Sequence, residues 1–345
     1  MKNNKKKVQR LFMAFILLVM CTACKQEPDK SPKADVKEEE TSAPIAENTE
    51  IYPLTGLPLK NVNGQRSFAV MVNNHPDARP QSGLHQADLV YEVLSEGNIT
   101  RFLAIFQSEQ PAVIGPVRSA REYYVDLSSG YDSVFISHGW SPQAKETLEN
   151  GKYDYLNGLF YDGTLFWRAD FRKAPHNSYI SAENIMEGAK QADIDLVQQP
   201  ELLSFLSEDE MKNLKGDEAV KAEVRYDKSD VWNAEYEYDK QTEKYLRYSN
   251  NEQTKDLETG KSIAVDNLFI VEMKHQLIDD YGRRSIDLTS GGKGILLQKG
   301  VSRQVEWRNE DGRILPYLNG SQVGFVPGKT WINIVPALED YVSLH

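Results

Sequence analysis

The sequence predicts an α+β protein: an N-terminal mixed α/β-sheet domain followed by a smaller, mainly-β C-terminal domain. Two observations carry that prediction. Between residues 52 and 215, strand-like apolar runs and a hairpin are interleaved with single amphipathic helices, without the regular strand–helix alternation of a βαβ protein. From Val220 onward the apolar segments are short, rich in β-branched and aromatic residues, separated by turn residues, and nearly free of helical periodicity. The chain divides into residues 1–23 as a leader, 24–51 as a tether, 52–215 as the first domain and 216–345 as the second.

The leader opens with Lys2, Lys5, Lys6, Lys7 and Arg10, continues as an apolar run over residues 11–20, and ends in Cys-Thr-Ala-Cys. The run is about ten residues, half the length of a membrane-spanning helix, which reads as a secretory signal. Cys21 and Cys24 are the only cysteines. Cys24 follows Thr22-Ala23, and a cysteine after a small residue resembles the lipidated position of bacterial lipoprotein signals. Cys21 follows the bulky Met20 and fits less well; it also stands where such signals usually carry Leu. The resemblance implies a diacylglyceryl thioether on Cys24, and so a membrane partner, through a lipid anchor on the extracytoplasmic face. Two acyl chains anchor far more firmly than one. No cysteine then remains for a disulfide, and the folded part must rely on its own core, which its length allows.

Formal net charge is −11. The leader holds five positive side chains and no acid, so −11 less those five leaves −16 for the rest. Such acidity argues against a nucleic-acid partner and against general adhesion to anionic lipid. Residues 24–51 are rich in Lys, Glu, Pro, Ser and Thr and too poor in apolar side chains to fold. About 26 flexible residues span roughly 28 Å r.m.s., which lifts the domains a short way off a bilayer.

Ordered structure is expected from Tyr52, where PLTGLPL supplies turn signals. Residues 68–72 (FAVMV) read as a strand buried on both faces, and residues 73–83 as a loop. Residues 88–94 and 100–106 form a hairpin around SEGN. GPVRSAREYYVD predicts a helix from Gly115 to about Ser128, with Pro116 in its first turn. A strand at 134–137 follows, then a helix to Glu149 capped by Ser141 with Pro142 at its start. A turn at Tyr161-Asp162-Gly163 and a helix from Ser181 to about Gln191 complete the first domain. Ser207 and Glu210 have capping-box spacing for a short helix to about Leu214. Later strands are expected at 224–226, 231–238, 245–248, 268–273, 285–288, 295–298, 304–307 and 331–335, as a barrel or curled sheet.

Arginine carries the strongest chemical signal. On the expected helix, Arg118 and Arg121 lie three apart and share a face beside unpaired N–H groups. Two guanidiniums there would grip a carboxylate or phosphate, with Arg79, Arg101, Arg172 and His176 lining the cleft. Acids lie close by: Asp88 and Glu92 share one face of their strand, Glu96 precedes Arg101, and Asp170 lies near Arg168 and Arg172. The same residues therefore fit a structural Arg–carboxylate network or an anion pocket, and both can hold at once.

Histidine offers a second reading. His138 or His176 would serve as a general base with Ser137, Ser141 or Asp170, in an envelope hydrolase or transferase. Against it, the chain has no GxSxG elbow and, after lipidation, no thiol. His75-x-Asp77 is the only tight His/acid spacing, without HExxH, so no metal and no cofactor are expected. Gly291-Gly292-Lys293-Gly294 has the letters of a phosphate loop but leads into a strand, which favours a hairpin turn. The many tyrosines and tryptophans, Trp140 and Trp167 among them, suit sugar or peptide ligands as well as core packing.

Taken together, PLTGLP, ARPQSGLHQADLVYEV, EGNITRFLAIF, GPVRSAR, HGWS, APHNSY and GKTWINIVP resemble the YerB family of lipoproteins from Gram-positive bacteria, a two-domain family of uncharacterised function. The likeness covers most of the chain after the tether. It implies an exported two-domain lipoprotein and carries over no catalytic residues. The residues themselves point to an envelope protein that binds an anionic ligand, such as one derived from the cell wall, or a partner protein. The alternatives are the His-based enzyme and a pure scaffold that docks other proteins.

Overall fold

In the apolar run at residues 68–72 every side chain is buried, and the pleat alternates them between two cores: Phe68, Val70 and Val72 to one face, Ala69 and Met71 to the other. The computed structural model describes residues 50–60 and 66–345. The leader, the lipidation candidate Cys24 and nearly all of the tether lie outside the described residues.

β1 (Phe68–Asn73) is followed by β2 (Leu89–Glu96) and β3 (Ile99–Phe106), which form the expected hairpin. Then come α1 (Glu122–Ser129), β4 (Val134–Ser137), α2 (Pro142–Glu149), β5 (Tyr155–Asn157), α3 (Gly158–Tyr161), β6 (Trp167–Arg168), β7 (Ser178–Tyr179) and α4 (Ala182–Gln191). Ser141 and Ser181 cap α2 and α4, each side-chain oxygen accepting a backbone N–H. Ser207 and Glu210 close the predicted capping box on α5 (Glu208–Lys212).

The later half is strands: β8 (Asp217–Glu218), β9 (Lys221–Val224), β10 (Ala234–Asp239), β11 (Lys244–Ser249), β12 (Glu252–Gln253), β13 (Ala264–Val265), β14 (Asn267–Glu272), β15 (His275–Leu277), β16 (Arg284–Ile286), β17 (Gly292–Gln298), β18 (Val301–Glu310), β19 (Arg313–Leu318), β20 (Ser321–Gln322) and β21 (Thr330–Val335). α6 (Leu338–Tyr341) and β22 (Val342–Leu344) end the chain.

These strands do not close into a barrel of their own. A 12-stranded sheet runs β20-β19-β18-β17-β14-β21-β2-β3-β1-β4-β5, with β8 against β18. It is continuous from one half to the other through β21, which lies parallel to β2 with Leu89 opposite Thr330 and Val93 opposite Ile334. The physical reason is backbone satisfaction. β2 is buried along nearly its whole length and pairs with β3 on one side only. Its other row of N–H and C=O groups needs a strand, and TWINIV, buried throughout, supplies it.

A second sheet, β12-β11-β10-β9-β22 with β13 on β11, covers one face of the first. There Ala222, Val224, Tyr236 and Tyr245 join Val70, Val90, Leu94 and Phe102 in one core. On the opposite face α1 and α2 pack Tyr123, Tyr124, Leu127, Ala144 and Leu148 onto Ala69, Met71, Tyr91 and Leu103. The architecture is α+β, as the sequence predicts.

One element departs from expectation. Residues 115–121 are extended, and α1 starts only at Glu122, with Arg121 as its N-cap. The N–H groups that a helix would have left open are taken elsewhere. Val117 donates to the Ser178 carbonyl at 2.7 Å, Arg118 to Met71 at 2.9 Å and Ala120 to Gly139 at 3.0 Å. Pro116 is therefore not in a first helical turn, and Arg118 and Arg121 share no helical face. Tertiary pairing has overridden local propensity.

Candidate functional site

β1, β4 and β5 are parallel neighbours in the order β1-β4-β5. They end together at Asn73, Ser137 and Asn157, and in open sheets the crevice outside such carboxyl ends is where ligands bind. Two of the ends run into polar loops, Asn74-His75 and His138-Gly139, and the third runs into α3 at Gly158. The 115–121 segment crosses this edge, held by Arg118 N–H on the Met71 carbonyl and His138 N–H on the Arg118 carbonyl at 3.0 Å. The turn before β7 brings His176 to the same place, where its Nδ1 lies 2.8 Å from Asn73 Nδ2.

Arg118 is the cation this arrangement leaves without an anion. Its Nε is buried with no hydrogen-bond partner. Burial and the neighbouring Arg101 guanidinium pull its pKa down to about 10, so it is still charged at neutral pH. Among the described residues no carboxylate pairs with it.

The other candidate arginines are tied. Arg101 gives two bonds of 2.8 Å to the Glu96 carboxylate and a third to the Ser119 carbonyl. Arg121 also contacts Glu96. Arg79 reaches the later half, bonding Val231 O at 2.7 Å and Ser249 Oγ at 2.8 Å as well as Asn74 O. Arg172 spends its two terminal nitrogens on the Asp77 and Pro80 carbonyls, both at 2.6 Å. Arg168 clamps Asp162. Of the residues proposed from sequence to line one cleft, the structure leaves Arg118 and His176 with donor capacity there and uses the others as ties.

The acids pair differently from the sequence-based pattern. Asp88 takes the N–H groups of Gln107 and Ser108 and the Ser108 hydroxyl, not an arginine. Glu92 faces the second sheet and pairs with Arg247, 3.0 Å away. Arg247 was missed from sequence; its signal is a charged residue at an inward position of the alternating strand YLRYS.

The histidines are held by their hydrogen bonds in a definite state. Arg168 can only donate, so His138 Nε2 accepts from it at 2.8 Å. The neutral ring then carries its proton on Nδ1 and donates it to Ser178 Oγ at 2.7 Å. Burial and Arg168 both lower the His138 pKa. In this arrangement the ring's lone pair is engaged by Arg168, so His138 takes a substrate proton only if that bond is first broken. Gly158 makes room for it: a Cβ there would lie 2.2 Å from His138 Nδ1. Asn73 Oδ1 accepts from His75 N–H at 3.0 Å, so its amide nitrogen donates to His176 Nδ1. That places the His176 proton on Nε2. Burial, His75 and Arg118 depress the His176 pKa.

His75, Asp77 and His176 bring three ligand-type atoms within 4.8 Å of one another. Their hydrogen bonding does not suit a metal. His75 Nδ1 already accepts the Asp77 N–H at 3.2 Å, and His176 Nε2 carries the proton that a metal would have to displace. His75 and Asp77 are hydrogen-bonded to each other, the His75 and His176 rings are stacked at 4.6 Å, and Trp232 is edge-on to His75 at 5.5 Å. Around the edge, Leu159, Phe160 and Phe171 are 55%, 62% and 67% exposed, an apolar rim beside the polar centre.

Comparison with known proteins covers both halves. Residues 54–195 match the family described as protein of unknown function (DUF3048), N-terminal domain, and residues 222–332 match its C-terminal domain. The chain is 50% identical over 331 residues to "Putative lipoprotein YerB" of Bacillus subtilis, covering 95% of this chain and 94% of that relative. It also superimposes on the crystal structure of the YerB protein from Bacillus subtilis with a TM-score of 0.80 at 52% identity, covering 86% of this chain and 99% of the other.

Proposed function

The chain belongs to the DUF3048 family, and we propose that it is a lipid-anchored envelope protein that binds an anionic ligand at the carboxyl edge of β1, β4 and β5. Arg118 is the anchoring cation, its guanidinium meeting a carboxylate or phosphate oxygen, while His176 Nε2–H adds a second donor. The observation that carries this reading is the Arg118 guanidinium, its Nε buried and unpartnered, beside arginines whose terminal nitrogens are each held by a carboxylate or a carbonyl. A guanidinium held among cations without an anion costs stability, and an arriving anion relieves that cost.

The location rests on the leader and on the relative named a lipoprotein. Cys24 carries the anchor on the extracytoplasmic face, and wall-derived anions are the ligands at hand. A Cys24→Ser chain is expected in the medium rather than the membrane fraction; retention on the membrane would refute the anchor. For the site, thermal melting of the full chain in detergent with phosphate, citrate, acetate and soluble wall fragments is the test. A ligand at about a hundred times its Kd adds roughly 2.7 kcal/mol. A shift lost in Arg118→Gln supports the reading, and a panel without any shift overturns it.

A second reading, a docked partner protein, is supported by the exposed Phe160 and Phe171. It predicts that a partner co-purified with the wild-type chain is lost in the Phe160→Ser/Phe171→Ser variant. Unchanged capture would dismiss it.

A further inference from the structure

Asp77 is the counterpart of Arg118: an acid without a cation. Its backbone is pinned on both sides, the N–H on His75 Nδ1 and the carbonyl under Arg172 Nη1. Its carboxylate, 73% exposed, pairs with no lysine or arginine among the described residues. The nearest nitrogens are His75 Nδ1 at 3.6 Å and His176 Nε2 at 4.0 Å. The first accepts a hydrogen bond and so bears no proton; the second belongs to a ring whose neutral tautomer Asn73 fixes. Neither is a standing positive charge.

Asp77 lies 4.0 Å from His176 Nε2, and the Arg118 segment runs along the same strand end, where Asn73 bonds both the Pro116 carbonyl and His176; Arg118 and Asp77 act on that ring with opposite sign. Opposite charges that share one neighbour yet do not pair with each other leave room for a molecule carrying both signs. A simple polyanion would gain from Arg118 and be repelled by Asp77; a simple cation would gain from Asp77 and be repelled by Arg118 and Arg172. The stacked His75–His176 pair, with Trp232 behind it, offers a flat wall for the carbon that joins the two groups.

We propose that the ligand is a small zwitterion of the α-amino-acid class, its carboxylate on Arg118 and its ammonium on Asp77, with His176 Nε2–H as a further donor to the carboxylate. The inference rests on the anion reading above and narrows it.

The test is calorimetric titration of the full chain in detergent with four probes of one size: L-alanine, D-alanine, propionate (which lacks the amine) and ethylamine (which lacks the carboxylate). Inorganic phosphate serves as a fifth probe. At least one alanine enantiomer should bind about tenfold or more tighter than propionate, and ethylamine should not bind. In Asp77→Asn, alanine should fall to the level of propionate while propionate holds or improves. Arg118→Gln should lose both. Asp77 is exposed and the amide keeps its shape, so folding of that variant is not at stake; matching melting curves confirm it.

Two results would overturn the proposal, and they are distinguishable. If propionate or phosphate binds through Arg118 and alanine binds no better, the zwitterion is wrong and the anion site stands. If no probe binds, or Arg118→Gln binds as the wild type does, both readings fall together.

Discussion

Glu92 and Arg247 form a fully buried ion pair between the two sheets, 3.0 Å apart with side-chain exposures of 0% and 1%. Glu92 also accepts from Thr100 at 3.0 Å, Trp331 Nε1 at 3.2 Å and Asn74 at 3.3 Å, while Arg247 lies over the rings of Phe102 and Trp331. Asn74, adjacent in sequence to Asn73 and His75, takes part in this network. The edge that carries the candidate site is thus fastened to the later half through a buried charge pair.

Removing one partner leaves the other charge buried and unpaired, which costs about 3–5 kcal/mol. Glu92→Gln and Arg247→Met are each expected to destabilise by that order in urea unfolding. The double variant Glu92→Gln/Arg247→Met, which keeps an acceptor for Thr100 and Trp331 Nε1, should lose clearly less than the sum of the two singles. A double variant worse than the sum of the singles would contradict the pairing.

The arginines should separate by stability. Arg101→Gln strands Arg121 and Ser119 O in altered company and is expected to cost about 2–4 kcal/mol. Arg118→Gln removes a cation with no anion beside other cations, and should change stability by less than about 1 kcal/mol or raise it. Paired melting curves decide the point; an equal loss in both variants would mean that Arg118 is also a tie.

The ring nitrogens of His138 give a spectroscopic check. Nε2 accepts from Arg168 and Nδ1–H donates to Ser178, so ¹⁵N shifts at neutral pH should show Nδ1 protonated and Nε2 bare. In Arg168→Gln the preference should weaken. A wild-type ring protonated at Nε2 would reopen the general-base reading.

Stability should fall on acidification through His275. Its Nδ1–H donates to the Met273 carbonyl, and burial holds its pKa at about 4, far below the free value of roughly 6.5. Between those two values the unfolded chain binds the extra proton and the folded chain does not. Lowering the pH through that window therefore favours unfolding, and the full contribution is present above it. His138 and His176, also depressed, act in the same direction. His275→Asn, which can keep the Nδ1-type donor, should flatten the slope of Tm against pH. An unchanged slope would show that His275 does not carry it.

The strands were legible where a buried run or a strict alternation marked them, as in FAVMV, and the helices where a serine cap stood, as at Ser141, Ser181 and Ser207. Illegible from sequence were the features that depend on distant partners. Nothing local says that the backbone of Val117 and Arg118 bonds Ser178 and Met71 rather than its own helix. Nor does a period-two pattern say that Glu92 meets an arginine 155 residues away while Arg101 turns to Glu96. Arg118 was singled out on a helix that is absent there; its isolation comes instead from how the other arginines are used. Asn73 lay in a stretch read only as loop, and Asp77 was noted there only for its spacing from His75; composition does not show which polar side chains converge.

Titration of acetate and of phosphate into the wild-type chain, Arg118→Gln and Arg172→Gln, followed by calorimetry, is the most direct trial of the anion site. Saturable binding of either anion to the wild type, retained in Arg172→Gln and lost in Arg118→Gln, is the predicted result. Binding that survives in Arg118→Gln, or that is absent from the wild type for both anions, would contradict it.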